Sequence, residues 1–211
     1  MRTTSNQKYE ITEISHEKYP FLHRIRALRD VSAEVRAGDL GGFVESESNL
    51  SSEPDDTAWI FDDAIACNDA YVDKGAVLRG EVVVCDNAYI SMGAVLSGHA
   101  RVEDNAYVRG AVLNASARAS GFSMILNDKD TMGVPILSGH CAVYGKVSGD
   151  VRLTGSALVI SGEEIRNDTL DTLVISGKNR SVIRDSSRDE LAPQQPSPPT
   201  PQKQKGCEMS R

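Results

Sequence analysis

Aromatic side chains are scarce: six Tyr, four Phe and one Trp make up 5% of the 211 residues. A core built on large rings is therefore excluded, and Ala, Val, Ile and Leu must fill it. Cysteine is rare as well. Cys67, Cys85, Cys141 and Cys207 show no CxxC spacing, so neither a zinc knuckle nor a disulfide framework is expected, and a reducing cytoplasm fits. No run of about 18 apolar residues occurs, so no transmembrane helix is expected. The opening residues, MRTTSNQKYEIT, lack the apolar segment of a secretory signal. Basic residues are outnumbered, 23 Lys and Arg against 30 Asp and Glu, for a net charge of −7. That balance argues against direct nucleic-acid binding, which rests on cations that neutralise phosphates. Residues 192–211 carry Lys203, Lys205 and Arg211 against Glu208, a balance of +2, which leaves −9 on the rest. The excess favours solubility and says little about fold.

What the chain does have is repetition. Read in sixes from Asp55, it gives DDTAWI, FDDAIA, CNDAYV, DKGAVL, RGEVVV, CDNAYI, SMGAVL, SGHARV and EDNAYV. The fourth place is Ala throughout except Val82, and the sixth runs Ile60, Ala66, Val72, Leu78, Val84, Ile90, Leu96, Val102 and Val108. Places four and six lie two residues apart, so on a short strand both point inward and place five points outward. Places one to three hold Gly, Asp, Asn and Ser, which tolerate the left-handed backbone of a tight corner. Residues 67–84 align with 85–102 and, one residue short, with 103–119. Eighteen residues thus make three faces and one coil, and adjacent coils should stack at about 4.8 Å. The predicted fold is all-β, a left-handed parallel β-helix. Fixed six-residue spacing without hairpin turns does not suit a sandwich of ordinary strands.

The pattern loosens after residue 119. SGFSMI (120–125) supplies a face, LNDKDT (126–131) reads as a loop pushed out at a corner, and MGVPILSGHCAV (132–143) resembles residues 92–102. SGDVRL, TGSALV and LDTLVI carry the solenoid to about Ile175 or Ile183. Before the repeat, YEIT and LHRIRAL read as strands and RAGDLGGFVESESNLS as an irregular first coil, since a solenoid needs a cap over its exposed sheet edge. The expected organisation is strands and cap coil over 1–50, β-helix over 51–184, and a disordered Pro/Gln-rich tail over 185–211.

These hexads fit the loose pattern of the bacterial hexapeptide-repeat superfamily: Leu, Ile or Val, then a small or acidic residue, and a small residue three places later. The entry segment IRALRDVSAEVRAGDLGGFVESESNLS (25–51), followed by the hexads, resembles the YdcK-like group and related phage or prophage proteins. The resemblance covers about residues 24–120 and is specific for fold. It implies either an acyltransferase that uses acyl-CoA or a γ-class carbonic anhydrase, and it carries over no catalytic motif.

Candidate chemistry is sparse. An acyltransferase of this kind uses histidine as general base, because imidazole titrates near neutral pH. His99 and His140 both occupy the third place of a Ser-Gly-His corner, a setting equally suited to a plain polar corner residue. They should lie two coils apart, roughly 10 Å, with Ser116 between, too far to share a zinc ion, so no metal is expected. No cofactor is expected otherwise. Cys67 and Cys85 should stack on adjacent coils, with Glu103 continuing the row, as a metal or redox pair or as an outward ladder of reduced thiols. The outward rows are Tyr71, Tyr89 and Tyr107 on one face, Trp59, Val77, Val95 and Val112 on the next, and Ile65, Val83, Arg101 and Arg118 on the third. Strand propensity or an exposed contact surface explains the apolar ones. The resulting expectation is a binding or scaffold protein, self-associated most simply as a trimer, with a further protein partner possible. An acidic mimic of nucleic acid ranks last, because no regular acidic stripe is present.

Overall fold

The computed structural model describes residues 6–184. It is all-β apart from one short 3-10 turn at Glu47–Asn49. Parallel strands of two to five residues wind through three faces for about seven turns. The expected disorder over 185–211 lies outside the described residues.

The first coil of regular hexads shows how the chain builds each turn. Trp59–Ile60 lies on the first face, Ile65–Ala66 on the second and Tyr71–Val72 on the third. Each strand pairs in register with the strand 18 residues on: Trp59 with Val77, Ile65 with Val83 and Tyr71 with Tyr89. The inward columns are continuous. Ile60, Leu78, Leu96, Leu113, Leu137 and Leu153 stack behind the first face, and Val72, Ile90, Val108, Ile125 and Val147 behind the third, all inaccessible to water. Alanine at place four keeps the corners thin enough for these columns to meet. Ser123 stands where the three preceding coils have Ala70, Ala88 and Ala106, and its buried hydroxyl has no hydrogen-bond partner.

The corners behave as their composition predicts. Place two has positive φ in coil after coil: Asp62, Asn68, Lys74, Gly80, Asp86, Met92, Gly98 and Asp104. An aspartate there also serves the next coil. Asp62 accepts from the Gly80 N–H at 2.9 Å, Asp86 from that of Asp104 at 3.1 Å, and Asp104 from that of Gly121 at 2.8 Å. Asp56 accepts from Lys74 and Gly75 at 2.7 and 2.8 Å. Partial burial pushes the Asp56 carboxyl up, but N–H donors, chiefly those of Ala58 and Gly75, outweigh it and hold the group below the usual range. Much of the acidic excess thus ties coil to coil.

The amino-terminal segment forms a meander that extends the second face. Strand β1 (Tyr9–Ser15) pairs antiparallel with β2 (His23–Ala27), and β2 with β3 (Leu40–Val44). Strand β3 then pairs parallel with Ile65–Ala66, and Leu50 bridges to Val72 on the third face. The buried Asn49 fastens this first coil. Its amide donates to the Asn68 and Ala70 carbonyls and accepts from the Glu45 and Ser46 N–H groups. The buried Lys8 ammonium donates to the Ser51 carbonyl at 2.9 Å, and the Tyr9 hydroxyl to Glu47 and Leu50.

Past residue 126 the expected loop is present, from Asn127 to Pro135, between Met124–Leu126 and Ile136–Leu137. Of two strands on the third face, Glu164–Asn167 falls outside the hexads read from sequence, and Lys146–Gly149 overlaps SGDVRL only at Ser148 and Gly149. The corner before Lys146 is only two residues, Tyr144 and Gly145. A Cβ on Gly145 would meet the Glu163 carbonyl oxygen at 2.3 Å, so only glycine fits there. The described chain ends in an antiparallel hairpin, Thr172–Ser176 with Asn179–Ile183, where a continuing solenoid coil was the expectation. Its turn, Gly177-Lys178, has the positive φ of 57° that glycine supplies.

Candidate functional site

The first face carries the most regular outward column. Val77, Val95, Val112 and Ile136 follow one another in register. Each is partly exposed. Two residues further along stand Arg79, Ser97, Asn114 and Ser138, all polar. The apolar stripe is therefore one side chain wide and, at the strand spacing, about 15 Å long. Arg152 ends it on the next coil.

One expected member of this stripe is placed otherwise. Trp59 occupies the outward position of the column but is 1% exposed. Tyr9 meets its ring edge-on at 6.4 Å between centroids, and the buried Val31 and Val35 of the loop after β2 join the same cluster. The cap loop reaches as far as Arg79, which pairs with Glu34 and sits 3.9 Å over the Phe61 ring. The contact stripe thus begins at Val77, and Trp59 belongs to the interior formed between cap and solenoid. Ile65 is covered in the same way on the second face, by Leu22 and Phe43.

The third face carries the tyrosine column. Tyr71 and Tyr89 stack at 5.9 Å with planes 19° apart, and Tyr89 and Tyr107 at 5.0 Å and 8°. The rings lie against one another and present edges to water. Their hydroxyls turn back to the coil before: Tyr89 donates to the Asp73 carboxylate at 2.9 and 3.0 Å, and Tyr107 lies 3.3 Å from the Ser91 hydroxyl. Burial raises the Asp73 carboxyl, and the Tyr89 hydroxyl offsets part of that. Burial and then the Asp73 carboxylate raise the Tyr89 phenol. Most of the polar capacity of this ladder is spent within the chain.

The two candidate general bases share one column, as expected. The His99 N–H bonds the Ala115 carbonyl, that of Ser116 the Gly139 carbonyl, and that of His140 the Gly155 carbonyl, so Ser116 separates the histidines. Both are exposed. His99 lies 3.4 Å from Glu81, an exposed pair of little energetic weight. Neither histidine lines any of three surface recesses, of about 380, 210 and 190 Å³. The largest lies between Asp56, Tyr71 and Asp73, and the smallest beside Trp59 at the end of the stripe. The third, unforeseen from sequence, gathers Arg109, Lys129, Lys146 and Arg166 around the 127–131 loop. Its charges are largely engaged: Arg109 with Asn127 at 2.8 and 2.9 Å, and Lys146 with Glu164 at 2.8 Å.

Among the described residues no three His, Cys, Asp or Glu side chains are grouped to hold a metal ion. No described helix is long and apolar enough to cross a membrane. Ile136 could have been read in advance, because MGVPILSGHCAV sets it opposite Val95. The basic recess could not, since its cations come from three coils and a loop. No family model matches the chain, and no curated protein matches it in sequence.

Proposed function

We propose that this protein is a binding or scaffold solenoid that works as a homotrimer, assembled through the first face. The observation that carries the reading is the narrow stripe of Val77, Val95, Val112 and Ile136. A partner that fills the gaps between these side chains must present its own at the same 4.8 Å repeat, and a second copy of the chain does so necessarily. Where this column does have a cover, at Trp59, the cover is the chain's own cap, and the uncovered rungs begin where that cap stops. A stripe one residue wide suits three copies meeting on an axis, whereas a dimer needs a broader flat face. Closed symmetry is the usual state of a self-associating soluble chain.

The hexapeptide-repeat resemblance of residues 24–120 agrees with this reading, and a phage or prophage setting is part of the proposal. Acyl transfer from acyl-CoA is less well supported, because His99 and His140 stand on exposed corners and line none of the three recesses. The test is the double substitution Val77→Lys with Val95→Lys. Buried unpaired ammonium groups at a shared axis are intolerable, so sedimentation should show monomer with an unchanged far-ultraviolet spectrum. An oligomer that survives the double substitution refutes the assignment of this face.

A further inference from the structure

Cys67 and Cys85 occupy the same corner position on successive coils. The Cys67 N–H bonds the Val84 carbonyl at 3.1 Å, and the Cys85 N–H bonds that of Val102 at 3.0 Å, so the two residues lie side by side in the ladder. Adjacent strands put their α-carbons about 4.8 Å apart, within the 4.4–6.8 Å range that a disulfide spans. Both thiols are free and partly exposed. Cys141, by contrast, is 1% exposed.

We propose that Cys67 and Cys85 form a modification site: a reversible intramolecular disulfide, made by hydrogen peroxide, that staples two consecutive coils. The Cys67 thiolate attacks one peroxide oxygen and the O–O bond breaks. This leaves a sulfenic acid on Cys67 and releases hydroxide, which takes up the thiol proton as water. The Cys85 sulfur then attacks the Cys67 sulfur, and the S–O bond breaks. The departing hydroxide takes up the Cys85 proton as a second water. Two thiols lose two electrons, and one peroxide gains them.

The environment distinguishes the roles. The neighbouring Cys85 thiol holds the Cys67 thiol below its ordinary value, despite burial and the nearby Glu45 and Asp86. The same contact, with burial and Asp86, pushes the Cys85 thiol far up. The Cys85 thiol also donates toward the Asp86 carboxylate at 3.6 Å, which keeps it protonated, so Cys67 is the attacking thiolate and Cys85 the resolving thiol. Burial pushes Cys141 up to about 11, which keeps it out of the reaction.

The experiment uses the full chain with Cys207→Ser, treated with hydrogen peroxide near equimolar and then digested with trypsin. Lys74 and Arg79 lie between the two cysteines, so the disulfide appears as two peptides joined with a loss of two hydrogens. Titratable thiols should fall by two and return with dithiothreitol. In Cys85→Ser, Cys67 should instead accumulate as a dimedone-reactive sulfenic acid. Sulfinic acid on Cys67 with no joined peptide would overturn the proposal, as would thiols that stay free, or joining of Cys67 to another chain. The full-length protein with Cys207 present should give the same joined peptide.

Discussion

Ala88→Asp tests the register at the centre of the solenoid. Ala88 is 1% exposed and lies between Ala70 and Ala106 in the place-four column, behind the tyrosine face. An ionised carboxylate there costs several kcal/mol, so the group takes up a proton. The neutral acid still leaves polar atoms unpaired, about 1–3 kcal/mol, and its added volume costs about 1–3 kcal/mol more. A loss of about 4 kcal/mol is a large share of the roughly 5–15 kcal/mol that holds a domain together. At ~2–4 °C per kcal/mol for a chain of this size, Tm should fall by roughly 8–16 °C. The loss depends on pH with a definite sign. Burial raises the folded-state pKa of the introduced acid above its unfolded value, so folding takes up a proton and stability recovers as pH falls. The deficit should therefore be larger at pH 7 than at pH 5. Asn87→Asp, one residue away on an exposed corner, should shift stability by no more than about 0.5 kcal/mol. Differential scanning calorimetry of the three proteins decides the matter. A melt of Ala88→Asp within two degrees of the parent would refute the inward assignment of place four.

Two further predictions come from buried polar groups. Ser123→Ala restores the residue that most other coils carry and removes the unpartnered hydroxyl, so Tm should rise by about 2–4 °C for a gain near 1 kcal/mol; a drop would show that the hydroxyl is bonded. Burial pushes the Lys8 ammonium down to about 8 from 10.5. Above pH 8 the folded protein has lost this proton while the unfolded chain keeps it, so stability contributed by this site rises with pH up to about 10.5, by roughly 2–3 kcal/mol. Lys8→Met should therefore melt above the parent at pH 7, and the gap should close by pH 10. A gap independent of pH would show that Lys8 is not desolvated.

The regular part of the fold was legible because its causes are local. Alanine at place four, a branched residue at place six and aspartate or glycine at place two each act within one hexad. The missed strands have causes that are not local. Lys146–Gly149 follows a two-residue corner that only Gly145 allows, and hexad counting passes over it. The Thr172–Ile183 hairpin did leave a signal, Gly177-Lys178 between two short apolar runs, but it sits where the repeat was still expected to continue. Trp59 could not be read correctly from its hexad, because Tyr9, whose ring meets it edge-on, lies 50 residues earlier. The same long-range packing shortened the candidate stripe at one end, while Ile136 lengthened it at the other.

The most direct test of the proposed assembly is the solution mass of the wild-type protein by light scattering coupled to size exclusion, across a range of loading concentrations. The stripe from Val77 to Ile136 predicts a species near three times the 22.8 kDa chain mass, unchanged on moderate dilution. A single peak at 22.8 kDa at every concentration would contradict it.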